Sequence, residues 1–153
     1  MNKLYRNANN ELFVDPIFEN HEGLIEIDQV EFDTILSNLN KPTVKQLLSQ
    51  LTAARKEQER QGVVINGIRY AGDPGNRQAL QEAIEFMNDA GLTEFPAWKD
   101  SDDVFHADHP LADVKDAVRA IGARRSQLIA AEGEYAAQIA AGTLIDLSEV
   151  TWP

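Results

Sequence analysis

The sequence predicts an α+β protein: a short N-terminal β region plus a helix, a connector helix, then a small β-hairpin domain packed against helices, one of them long and C-terminal. Three features carry this expectation. Asn66-Gly67 stands between Val63-Val64-Ile65 and Ile68-Arg69-Tyr70, and Asn-Gly supplies the two positive-φ residues of a type I′ hairpin turn. Leu111, Val114, Val118, Ile121, Leu128, Tyr135 and Ile139 follow a three-four spacing, which places one long helix over 111–141. Residues 1–28 hold only short apolar runs, Leu4-Tyr5, Leu12-Phe13-Val14 and Leu24-Ile25-Glu26-Ile27. Asn7-Ala8-Asn9-Asn10 turns between the first two, and Asp15-Pro16 stops the second.

After these strands, Asp28 caps a helix over 29–39, with Glu31 at the position of a capping box. Val30, Phe32, Ile35, Leu36 and Leu39 are its apolar residues, and the run to Pro42 ends it. Thr43 caps a second helix over 44–61. Its stripe of Val44, Leu47, Leu48 and Leu51 fades into AARKEQERQ, a strongly helical stretch with almost nothing apolar to bury. That half reads as a solvated helix end, or as a connector that projects the C-terminal domain away from the N-terminal one. The expected organisation is therefore 1–42 as a β-rich partner-binding region, 43–61 as a connector helix and 62–153 as an α+β domain.

Beyond the Asn-Gly hairpin, Asp73 and Pro74 open a helix with Ala79, Leu80, Ala83, Ile84 and Met87 facing a core, and Asp89-Ala90-Gly91 closes it. Residues 95–99 and 104–106 suggest a further hairpin around Asp100-Ser101-Asp102-Asp103. In the long helix, the apolar spacing also puts Arg125 and Glu132 on the seam. Charges there need partners, or the seam drifts onto Ile129 and Ala136. Packing across a small sheet is favoured over a homo-oligomeric coiled coil. Gly142 stops the helix, and Leu144 to Trp152 form an apolar tail that can fold back.

The chain has 153 residues and a net charge of −11. So acidic a chain repels phosphate and anionic membrane surfaces, so neither nucleic acid nor membrane is an expected partner. The absence of Cys excludes disulfides, thiol nucleophiles and cysteine-based zinc sites. MNKLYRNANNELF has no apolar signal core, so folding in a cytoplasm is expected.

Chemistry is thinly represented. No serine lies in a G-x-S-x-G turn, and Gly72-Asp73-Pro74-Gly75-Asn76-Arg77 lacks the lysine and spacing of a phosphate loop. The best metal candidates are His106, Asp108 and His109, but their spacing matches neither a helical zincin pair nor a recognised loop. No cofactor is expected. Trp98 and Trp152 read as core anchors or as partner hot spots.

From about residue 53 the chain resembles a domain of unknown function found in tail proteins of tailed bacteriophages and prophages, often called tail fibre assembly proteins. The matching residues are Arg55, Gly62, Val63, Gly67, Tyr70, Asp73, Arg77, Leu80, Trp98, Lys99, the helix 111–141 and Trp152. Where that family commonly closes the loop after Trp-Lys with Gly, this chain has Asp100-Ser101-Asp102-Asp103, a tip left open to specific contacts. The resemblance implies no active site. It implies a chaperone that binds a phage tail fibre in the host cytoplasm and aids its folding, trimerisation or attachment. A structural tail component of the virion is the alternative, and a small metal-binding enzyme a distant third. Partner contacts are expected at Tyr5, Leu12, Phe13, Phe18, Leu51 and Trp98.

Overall fold

The computed structural model describes residues 3–15 and 22–153. It is α+β, and the chain divides into two compact units, Met1–Thr43 and Val44–Pro153. Among the described residues, no helix is long and apolar enough to cross a membrane.

The first unit holds β1 (Leu4–Arg6), β2 (Leu12–Val14), β3 (Ile25–Ile27) and α1 (Gln29–Leu39). The strands form an antiparallel sheet in the order β2-β1-β3, with Tyr5 opposite both Phe13 and Glu26. The Asn7 carboxamide organises the first turn by accepting from the amides of Asn9 (2.8 Å) and Glu11 (3.0 Å). Asp28 caps α1 as expected, its carboxylate accepting from the Glu31 amide at 2.7 Å. Among the described residues, Tyr5 and Ile27 are this unit's buried apolar residues.

The second unit begins with α2 (Val44–Gln61), followed by the hairpin β4 (Val63–Ile65) and β5 (Ile68–Tyr70), then α3 (Pro74–Asp89). The ribbon β6 (Glu94–Lys99) and β7 (Phe105–Pro110) comes next, then α4 (Leu111–Ala140) and a 3-10 turn at Leu147–Glu149. Asn66 and Gly67 take φ of 50° and 81°, as the type I′ turn requires. Asp73 caps α3 through the Asn76 amide at 3.0 Å, with Pro74 in the first turn.

Two apolar clusters hold this unit. Tyr70, Leu80, Val114, Ala117 and Ile121 form one, covered by the β4–β5 hairpin, α3 and the aromatic residues of β6. Leu47, Leu51, Ile139 and Leu144 form the other, where α2 meets the far half of α4 and the C-terminal tail returns over both. Tyr135 fixes that tail, donating to the Thr151 carbonyl at 3.0 Å and accepting from its amide at 3.2 Å.

The helix read from sequence as a connector is thus an integral part of the second unit. Residues early in α2 pack against residues late in α4, so the two helices run antiparallel.

Candidate functional site

In the first unit, α1 contributes no buried residue. Phe32 and Ile35 are half-buried, but Val30 is 73% and Leu39 60% exposed, and Leu36 and Ile25 also lie open. Phe32, Ile35, Leu36 and Leu39 thus share one face, of which only the first two are half-buried, while Val30 lies on the other side of the helix beside Asp33, Thr34 and Ser37. Among the described residues, β2 and β3 each pair on one side only, leaving an outer edge of unpaired backbone groups. Lys3–Glu26 and Arg6–Glu31, both at 2.9 Å, tie β1 to β3 and to α1. Among the described residues, the result is a small braced unit with Leu36 and Leu39 exposed on its helix and β2 and β3 each paired on one side.

Between the two clusters of the second unit lies a network of charges. Glu59 on α2 is buried, its side chain 8% exposed. It pairs with Arg55 one turn earlier, with Arg125 of α4 (3.4 Å) and with Arg77 of α3 (3.6 Å). Arg55 also reaches Glu132 of α4 at 2.5 Å. The seam residues Arg125 and Glu132 thus find partners on α2, and Ile129 stays exposed. Within the charged half of α2, Glu59 and Arg55 are held inward by ion pairing while Lys56, Glu57 and Arg60 stay exposed, a stabilisation that leaves no apolar stripe in the sequence. Gly62 and Gly72 let the chain close in: a Cβ on Gly62 would lie 1.8 Å from the Tyr70 carbonyl oxygen, and one on Gly72 2.2 Å from that of Glu59.

The ribbon is built on an unusual spacing. In a regular strand, alternate residues share a face. Here Phe95 and Trp98, three apart, meet at 4.9 Å between ring centroids, as do His106 and His109 at 6.2 Å. The face changes where Pro96, which has no N–H, stands opposite Asp108, which has φ of 51°. Trp98 then stacks on His109 at 5.2 Å and tilts against Tyr70 at 6.1 Å. The Tyr70 hydroxyl bonds His109 Nε2 at 2.6 Å.

Burial keeps both partners neutral. It pushes the Tyr70 hydroxyl up to about 12, helped by Asp113 and Asp100. It lowers the His109 pKa, with Asp113 opposing and His106 adding to the shift. Their effects on stability have opposite signs. The unfolded chain takes a proton at histidine near 6.5 while the folded chain resists, so stability falls as pH drops from 6.5 through the folded value. Above 10 the unfolded tyrosine ionises while the folded one resists to about 12, so stability falls again over that range. Wild type is expected to lose more stability between about pH 8 and about pH 5 than His109→Gln does, read as urea midpoints. Equal losses would show that His109 is not buried neutral.

Asp100 organises the loop between the ribbon strands. Its carboxylate accepts from the Asp102 (2.8 Å) and Val104 (2.9 Å) amides and bonds His106 Nε2 at 2.8 Å. The His106 bond, then the Val104 amide, hold its pKa down at about 2. Ser101 ties the loop to β5, donating from its amide to the Arg69 carbonyl (3.2 Å) and accepting from the Ala71 amide through Oγ (2.8 Å). Arg69 pairs with Asp102 at 2.7 Å and Lys99 with Asp103 at 2.5 Å. The tip is thus tied to the unit through Asp100, Ser101 and Arg69, while Asp102, Asp103, Val104 and Phe105 stay exposed on it.

The residues predicted for partner contact fall in different places. Leu12 and Phe13 are half-buried on β2. Tyr5 is a buried residue of the small sheet, and Phe18 lies outside the described residues. Leu51, 1% exposed between α2 and α4, offers no surface, because the stripe it belongs to is a core stripe. Trp98 packs on the first cluster. Of the metal candidates, His106 is bonded to Asp100 and His109 to Tyr70. Among the described residues, no group of three or more His, Asp or Glu is arranged to hold a metal ion. Sequence reading missed Val30, Leu36 and Leu39 as surface and Glu59 as a buried hub. The repeated Arg and Glu at helical spacing over 55–60, matched by Arg125 and Glu132, was the available signal for the hub.

The family model described as Domain of unknown function (DUF4376) matches residues 43–151. The match starts at the head of α2, where the second unit starts, and takes in the Glu59 network and the ribbon. No curated protein and no solved structure matches the chain.

Proposed function

We propose that this chain, which belongs to the DUF4376 family, is a tail fibre assembly protein of a tailed bacteriophage or prophage. In this reading it is a non-catalytic chaperone that grips the fibre through its first unit, in the host cytoplasm, while the virion is built.

One observation supports the reading most. Ile25, Leu36 and Leu39 lie exposed on the unit in which, among the described residues, β2 and β3 each pair on one side only. Exposed apolar clusters mark interaction sites, and an open strand edge recruits another strand. A fibre chain awaiting trimerisation presents both unpaired strands and apolar surface, so the two faces are complementary. The acidic balance of the chain disfavours nucleic acid and anionic membrane as partners. The resemblance from about residue 53 onward supports a tail fibre as that partner. The second unit, cross-braced by Glu59 and the aromatic ribbon, serves as the rigid base.

The test uses full-length protein carrying Leu36→Asp and Leu39→Asp together, mixed with the purified fibre encoded beside it. Fibre binding is expected to weaken by at least about tenfold, with the urea midpoint of the second unit unchanged. Undiminished binding would contradict a role for this face.

A further inference from the structure

Gln127, Ala130, Ala131, Glu134 and Tyr135 recur at the three-four spacing that sets residues on one face of α4. Together with Thr151, Trp152 and Pro153 of the returning tail they line an open groove of about 550 Å³. Thr151 engages the Tyr135 hydroxyl as donor and as acceptor, so the ring is what Tyr135 has left to offer. Trp152 meets that ring edge-to-face, with centroids 6.1 Å apart and planes at 74°, and both residues are half-buried. In such a pair, the ring that presents its edge keeps both π faces clear of its neighbour.

Charge decides what these rings can receive. Glu134 is the one charged residue in the wall, and it is exposed. Among the described residues it has no ion-pair partner, whereas Glu132 on the same helix is paired with Arg55. Its carboxylate stands within electrostatic reach of the aromatic pair. The Thr151 bonds lower the Tyr135 pKa, and Glu134 acts against them. Arg124 is turned away from this carboxylate, its guanidinium bonding the Pro153 carbonyl at 3.0 Å and Gln58 at 3.3 Å. Its backbone lies about 15 Å along α4 from Glu134, beyond a Debye length of about 8 Å.

Two aromatic rings beside an unpaired carboxylate, with no cation in the wall, select a cation and repel an anion. A planar guanidinium can lie on a ring and fork onto a carboxylate, which a point-like ammonium does less well. The net charge of −11 draws basic partners toward the chain as a whole. We propose that this groove docks an arginine side chain of a partner protein, its guanidinium against the Tyr135–Trp152 pair and paired with Glu134. The tail is fixed beforehand by Thr151, so little ordering is required when the side chain enters. The contact lies on the second unit and does not rest on the tail-fibre reading.

The probe is N-acetyl-arginine amide, added at constant ionic strength and followed by ¹⁵N–¹H correlation spectra of the full chain. The two indole signals are assigned with Trp152→Phe. The Trp152 indole is expected to shift saturably, with an affinity on the order of millimolar or weaker for so small a ligand, while Trp98 stays still. N-acetyl-norleucine amide, which keeps the stem and lacks the charge, should not reproduce the shift, and N-acetyl-lysine amide should bind more weakly. Glu134→Gln changes an exposed side chain, so the fold is kept, and it should weaken arginine binding about threefold, as for an exposed ion pair. An unmoved Trp152 indole, parallel movement of both indoles, an equal response to norleucine, or undiminished binding by Glu134→Gln would overturn the proposal. So would lysine binding as tightly as arginine, because the planar group would then carry no preference.

Discussion

Glu59→Leu is expected to destabilise the second unit by about 3 kcal/mol, read as a fall in the urea midpoint at neutral pH. Removing one member of a buried ion network leaves the others uncompensated, and such losses run to about 3–5 kcal/mol. The lower end applies because Arg125 is 46% exposed and can turn to water. Arg55 cannot do so easily: its side chain is 12% exposed and is held between Glu59 and Glu132. Arg55→Met in the Glu59→Leu background should therefore recover part of the loss, because the stranded cation is gone. If Glu59→Leu is neutral, the network does not join α2, α3 and α4.

Gly62→Ala is expected to be at least as damaging, at about 3 kcal/mol or more, against about 1 kcal/mol for Gly67→Ala. Both glycines hold a left-handed backbone, at φ of 72° and 81°, so the strain of a side chain is similar. They differ in what a Cβ would meet. At Gly67 nothing lies within 4 Å, while at Gly62 the carbonyl of Tyr70 lies at 1.8 Å. The difference between the variants isolates the close approach of the α2 end to the β5 end, which also places Glu59 beneath Gly72. Equal effects would mean that the backbones part to admit the methyl group.

Much of the architecture could be read from residues alone. Asn66-Gly67 with its flanking β-branched residues specified the hairpin, and Asp73-Pro74 and Asp28 with Glu31 specified helix starts, because caps and turns are local devices. The seam of α4 was legible down to its two charged positions. What escaped was non-local. The second half of α2 carries no apolar stripe, so the burial of Glu59 and Arg55 against Arg125, Glu132 and Arg77 was invisible to hydrophobic periodicity. The ribbon breaks the two-residue period of a strand at Pro96 and Asp108, which brings Phe95 to Trp98 and His106 to His109. The loop Asp100–Asp103 looked open in sequence because its bonds to Arg69 and Ala71 span some thirty residues. In α1 the reverse occurred. Phe32, Ile35, Leu36 and Leu39 promised a buried face, and the small sheet beneath covers only part of it.

That uncovered face gives the chaperone reading its weight. In that reading, an acidic chain with no recognised catalytic motif carries a braced second unit and a first unit with exposed apolar residues. The most direct measurement is co-expression of the neighbouring tail fibre with and without this chain, then size-exclusion chromatography of the soluble fraction. The fibre is expected to be soluble and trimeric only when the chain is present, and the chain is expected to leave once the trimer has formed. A fibre that folds equally well alone, with no co-elution at any stage, would contradict a chaperone role.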